Sequence, residues 1–197
     1  MSGGSGEQGL LSAACAQMLL HYDLPGGAAA GMADAKMPDA QSGYEKGSTL
    51  VMAGLSGLNM VYEAAGMHGS LMGFCLESLI IDNDMLGQCL RCVRGIEVND
   101  TTLGLSVMKD VCIGGAGHYL GHEQTINLMQ TEYIYPSIAD RSSPKEWEER
   151  NKPDLIVTAS KRKSEILECF HPLHMSAEIE SSLRARFNIM TEKKYSL

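Results

Sequence analysis

The chain has 197 residues, 44% apolar and 20% charged, enough to bury a core as one domain and too apolar for a disordered segment. Its net charge is −8 with a pI near 5.2, and no basic stripe precedes the C-terminal region, so nucleic acid is not an expected partner. No apolar run reaches the length of a membrane span, and the Met-Ser-Gly-Gly-Ser-Gly start lacks the basic and apolar segments of a signal peptide. The expectation is therefore a cytoplasmic protein that does not bind membranes. The six cysteines read as free thiols. Cys89-Leu-Arg-Cys92 has metal or redox spacing, but it lies in a helical pattern with no second pair and reads as structural.

In chain order, apolar spacing predicts a helix over Leu10–Tyr22, stopped by Asp23-Leu-Pro-Gly-Gly. Ala28–Gly31 reads as a short buried strand, and Asp39–Leu55 as a helix capped near Pro38-Asp39. Leu58–Tyr62 is the next strand. Phe74–Arg94 is the strongest helix, with Leu76, Leu79, Ile80, Leu86, Leu90 and Val93 as its apolar face and Gly95 as its stop. A helix from Asp100 to about Val111, a turn over Gly114–Gly117 and a helix from His122 to about Met129 or Glu132 follow. Ser143-Pro-Lys-Glu has the pattern of an N-cap with proline at the first helical position. Helices over Pro153–Glu168 and Ser176–Phe187 complete the reading. The strand–helix alternation of the first half suggests parallel βα units.

Three loops bring polar groups beside small residues, as a ligand pocket requires. The loop after Gly31 holds Asp34, Lys36, Asp39 and Gln41. The loop after Tyr62 holds Glu63, Met67 and His68. The glycine turn delivers His118, Tyr119 and His122. Taken singly, each residue reads more readily as a solvated loop or a helix cap; taken together they favour a pocket. His118 and His122 lie four apart with Glu123 following, a spacing open to a metal, a hydrogen-bonded pocket or plain packing. The H-E-x-x-H order is absent, and Gly121 weakens a helix there.

The stretch Gly114-Gly-Ala-Gly-His-Tyr-Leu-Gly-His-Glu-Gln-Thr125 is followed by Thr131-Glu-Tyr-Ile-Tyr-Pro-Ser-Ile-Ala-Asp-Arg141 and Trp147-Glu-Glu. With Ala33-Asp-Ala-Lys-Met-Pro-Asp-Ala-Gln-Ser-Gly-Tyr-Glu-Lys46, it resembles the trimethylamine methyltransferase family, from about Gly9 to Phe187 and over the family's C-terminal part only. The resemblance implies an α/β fold, the C-terminal half of a TIM-type (β/α) barrel with a C-terminal helical extension. On that reading residues 1–8 are a flexible start, 9–135 the partial barrel and 136–197 the extension. An open half-barrel exposes strand edges and an apolar face, so a homo-oligomer or a chain supplying the other half is expected.

The implied reaction moves a methyl group from a tertiary or quaternary methylamine to a Co(I) corrinoid on a partner protein, with no cofactor held permanently and no metal. Glu63 and His118 would keep charge on the amine. Asp34, Lys36, Tyr44, Tyr62, Glu77, Tyr119 and His122 would bind it, because aromatic faces and carboxylates hold an N-methyl cation. Archaeal members carry pyrrolysine. Here that position falls at or beside Met37, so the resemblance is to the non-pyrrolysine type and moves quaternary amines such as glycine betaine ahead. The alternatives are a catalytically silent half-barrel that binds an amine or a partner chain, and a metal-assisted hydrolase using His118, His122 and Glu123.

Overall fold

A strand–helix–strand unit organises the first half of the molecule, which is described over residues 2–169 and 175–190 by a computed structural model. Strand β1 (Gly27–Ala29) and strand β2 (Met60–Tyr62) run parallel, with Gly27 opposite Met60 and Ala29 opposite Tyr62. Parallel strands need a crossover, and helix α2 (Ala40–Leu55) supplies it. Asp39 caps α2 by accepting from the Ser42 amide while the Ser42 hydroxyl returns a bond to the Asp39 backbone. Helix α1 (Gly6–His21) packs along α2. A short antiparallel pair, β3 (Met67–His68) and β4 (Gly73–Phe74), leads into α3 (Leu76–Arg94) on the other side of α2.

The core is small. Ala30 at the end of β1, Leu50 and Ala53 on α2 and Cys89 on α3 are buried together, with Val61, Ala64, Met85 and Leu86 packed around them. Burial pushes the Cys89 thiol up, as does neighbouring Cys92; all six cysteines are free. Beyond α3 the chain forms α4 (Asp100–Leu103) and α5 (Leu105–Cys112), then α6 (Glu123–Thr131), α7 (Pro144–Glu149), α8 (Leu155–Cys169) and α9 (Ala177–Arg186). The single helix expected over 100–111 is broken at Gly104, whose φ of 65° ends one helix and opens the next.

One expectation changes. The apolar face of α3 is buried only in part: Ser78, Asp82, Asp84 and Cys89 are buried, Ile80 and Leu86 are half-buried, and Leu76, Leu79, Leu90 and Val93 are exposed. Helix α2 meets α3 partly through Lys46, whose buried ammonium needs a carboxylate opposite, and Asp82 supplies it. Near the N-terminus the Gly3 amide donates to Ser70 Oγ at 3.0 Å, and Gly4 is buried against Ala33, Asp34 and Glu45.

The segment after residue 135 is anchored on α3. Asp84 accepts from the Ser137 amide and hydroxyl and from the Ile138 and Ala139 amides, at 2.7–3.0 Å. Helix α8 packs along α3, and Lys163 pairs with Glu77 at 2.6 Å. The parts of the expected extension at 170–174 and 191–197 lie outside the described residues.

Candidate functional site at the strand ends

Parallel strands end on one side of a sheet, and the loops that leave them there form the usual place for a site. After β1 the chain turns at Gly31, whose φ is 84° and whose missing Cβ would sit 2.7 Å from the Ala64 carbonyl oxygen. Only glycine lets the two loops approach this closely. The Gly31 amide donates to Thr49 Oγ1 at 3.1 Å and the Ala30 amide to the Tyr62 carbonyl at 3.3 Å.

From Ala33 to Ala35 the loop is clasped from two directions. Glu45 Oε2, from α2, accepts the Asp34 amide at 2.7 Å and the Ala35 amide at 3.2 Å, while Gln41 donates to its other oxygen at 2.8 Å. From the β3–β4 turn, the Ser70 amide donates to the Ala33 carbonyl and the Gly69 amide to the Ala35 carbonyl, both at 3.0 Å. Ser70 Oγ also donates to the Asp34 carboxylate. The tip beyond the clasp is open: Met37 is 60% exposed, and Lys36 folds its ammonium onto the Asp34 carbonyl at 2.7 Å.

On the neighbouring loop Glu63 is exposed and held at φ 57°, a left-handed conformation that costs a side-chain-bearing residue roughly 1–3 kcal/mol. Tyr62, just before it, lies across Gly27 of the adjacent strand, where a Cβ would meet its hydroxyl oxygen at 2.5 Å. Ser70 and Leu71 are also left-handed, at φ 52° and 72°, on the turn that clasps the Asp34 loop.

Of the three loops expected to converge, the structure brings two together. The Asp34 and Glu63 loops share the strand-end edge with Lys36 and Tyr62. The glycine turn lies elsewhere. His118 is exposed, Tyr119 Oη meets Cys112 Sγ at 3.5 Å, and His122 caps α6 by accepting the Gln124 amide on Nδ1 at 3.1 Å. The C-terminal end of α6 is held by Arg91 and Arg94 at the far end of α3, through Glu132 at 2.7 and 2.9 Å. Among the described residues no hydrogen bond or ion pair links this turn to the Asp34 or Glu63 loop. None of them forms a group of three or more His, Cys, Asp or Glu able to hold a metal. Tyr44 is exposed on α2. Glu77 is engaged by Lys163, whose hydrogen bond lowers its pKa to about 2.

The family model for trimethylamine methyltransferase (MTTB) matches residues 1–195. The trimethylamine methyltransferase MttB of Methanosarcina barkeri strain Fusaro is 35% identical over 185 residues, covering 92% of this chain and 36% of the relative. The chain belongs to the trimethylamine methyltransferase family. Two other relatives of this methyltransferase family come from Desulfitobacterium hafniense. Its trimethylamine methyltransferase MttB is 32% identical over 182 residues, covering 92% of this chain and 36% of the relative. A glycine betaine methyltransferase is 31% identical over 185 residues, covering 94% and 38%. The chain thus spans little more than a third of the length of the relatives it matches.

The groups that build the edge from below are not apparent in the sequence. Glu45, Lys46, Ser78 and Asp82 sit inside helical patterns, where acids and lysines ordinarily mark a solvated face. His68 was placed in the right loop but without a partner. The one usable signal was the Glu45-Lys46 pair about two turns into a helix that follows a glycine-flanked strand.

Proposed function

We propose that this chain forms the amine-binding edge of a methyltransferase that moves a methyl group from a tertiary or quaternary methylamine to a Co(I) corrinoid carried by a partner protein. The observation that carries this reading is the doubly clasped loop after β1, set against a strained Glu63 on the neighbouring loop. The Glu63 carboxylate faces solvent at the edge where an N-methyl cation would bind. Asp34, tied to Ser70, sets the shape of the loop.

Cobalt would supply the nucleophile; the C–N bond breaks and its electron pair stays on nitrogen. This chain's residues would orient the amine and keep its charge balanced. The edge is open, with Lys36, Met37, Tyr62 and Glu63 all exposed, which suits an acceptor delivered on a separate protein. A quaternary amine carries its own leaving-group charge, and Met37 at the tip brings no activating group, so quaternary amines lead. We take the parallel β1–α2–β2 unit as a portion of a (β/α) barrel whose other strands come from a second chain or a second copy. The reading rests on Asp34 and Glu63; His118 stands apart from this edge.

The test mixes the chain with reduced corrinoid protein and either trimethylamine or glycine betaine, with and without a chain covering the rest of the family's length. Cobalt absorbance should report methylation once the edge is complete. Glu63→Gln should raise KM for the amine about tenfold, the factor of one lost cation contact. His118→Gln should leave it unchanged. Silence with both amines, even with the remainder supplied, would leave at most a silent binding role.

A further inference from the structure

The most deeply buried charged groups lie directly beneath the strand-end edge, and the proposed chemistry gives them no task. Lys46 is 1% exposed, Asp82 3%, His68 4% and Ser78 1%. Burying an ammonium and a carboxylate forfeits solvation that apolar side chains of the same volume would not need, so stability alone does not account for the cluster. Its bonding is specific. The Ala35 carbonyl only accepts, so His68 Nδ1 must carry the hydrogen that meets it at 3.2 Å. His68 Nε2 then presents its lone pair, which takes the Ser78 hydroxyl at 2.5 Å and faces the Lys46 ammonium at 3.5 Å. Lys46 donates to Asp82 Oδ2 at 2.6 Å, and the same oxygen accepts the Gly66 amide at 2.7 Å.

Hydrogen bonds, joined by the 3.5 Å contact between His68 and Lys46, connect Ala35, in the loop that carries Asp34 and Met37, to Gly66, in the loop that carries Glu63. They pass through β3, α3 and α2 on the way. We propose that Lys46, His68, Ser78 and Asp82 are positioning residues, a buried relay that sets the separation of the Asp34–Met37 and Glu63–Gly66 loops for the amine. This rests on the proposed function for its purpose, but not for its geometry. Burial and the adjacent Lys46 charge both lower the His68 pKa, which favours the neutral imidazole, and the Ala35 carbonyl fixes its tautomer. The Ala35 backbone is gripped on both sides, its N–H by Glu45 and its C=O by His68 and Gly69. A reacting group misplaced by about 1 Å loses on the order of a hundredfold in rate, so such a base bears on turnover more than on affinity.

Three variants of the full chain test this, each read by amide hydrogen exchange at Asp34 and Ala35 and by methyl-transfer kinetics. His68→Leu removes both bonds. His68→Asn keeps a donor near the Nδ1 position. Ser78→Ala removes only the donor to Nε2. His68→Leu should speed exchange at both amides by roughly tenfold, the factor of one ordinary hydrogen bond, while exchange in α8 stays unchanged. Its kcat should fall about tenfold or more with KM moving less than about threefold, and His68→Asn should restore both. Wild-type exchange in His68→Leu, or equal damage in His68→Leu and His68→Asn, would overturn the proposal. If His68→Leu does not fold, Ser78→Ala decides: faster exchange at Asp34 and Ala35 supports the relay, and unchanged exchange rejects it. If wild-type chain transfers no methyl group even with the rest of the family's length supplied, the functional reading fails while the exchange arm still judges the relay.

Discussion

Lys46 and Asp82 show how a pair of residues decides more than their positions in the sequence suggest. They sit on different helices, 2.6 Å apart, with side chains 1% and 5% exposed. Lys46→Met would leave the Asp82 carboxylate buried with only the Gly66 amide, and removal of one partner of a buried pair costs about 3–5 kcal/mol. Urea denaturation should show that loss, and the double variant Lys46→Met/Asp82→Leu should recover much of it. A double variant as unstable as the single one would mean that Asp82 matters mainly through Gly66. None of this was legible residue by residue. A lysine in a helix reads as solvated unless something shows what lies opposite, and Asp82 is 36 residues away. Asp39 and Ser143, by contrast, were readable as caps because a cap bonds its own next turn.

At the scale of elements, α3 is the spine on which the molecule is assembled. Its N-terminal half holds Ser78 and Asp82 beneath the strand-end edge, Asp84 grips the 137–139 loop, and Arg91 and Arg94 hold α6. Burial alone would push the Asp84 carboxyl up, yet the Ile138, Ser137 and Ala139 donors outweigh it and leave its pKa below 3.8.

The α3–α8 contact carries a pH signature. The Lys163 hydrogen bond holds Glu77 at about 2 against an ordinary 4.5, so the unfolded chain binds this proton more readily than the folded one. The pair's contribution is present above pH 4.5 and is lost as pH falls from there toward 2. Glu77→Gln should flatten the acid limb of the stability profile in that window, measured by thermal melting. An unchanged limb would show that the pair is already screened by solvent. Helix positions in the sequence came from apolar periodicity, which locates a helix well but assumes that its apolar stripe faces inward; α3 breaks that assumption in part.

At the scale of the whole molecule, the described residues leave much apolar surface open. Leu10 and Leu11 on α1 are 63% and 65% exposed, and Leu76, Leu79 and Leu90 line the outer side of α3. The parallel pair β1–β2 stands as a two-stranded sheet with unpaired edges, a template for further strands. Such surface is unusual for a monomer in water. Sedimentation should therefore show association that rises with concentration and is relieved when a chain covering the rest of the family's length is added. A monomer at every concentration, with no binding of a hydrophobic dye, would count against the incomplete-barrel reading. No helix among the described residues is long and apolar enough to cross a membrane.

The sequence by itself located most of the helices, the caps at Asp39 and Ser143, the strands on either side of α2 and the family, because each is written in local spacing or in a run of contiguous motif. Only the tertiary structure decided which loops meet. It brought Asp34 and Glu63 to one edge through the parallel pairing of β1 and β2 and the close approach at Gly31, and it left His118 with α5 and α6. It also placed four polar side chains from two helices and a short strand in one buried relay. Those outcomes depend on contacts between residues distant in the chain, and a periodic pattern carries no record of what packs against it.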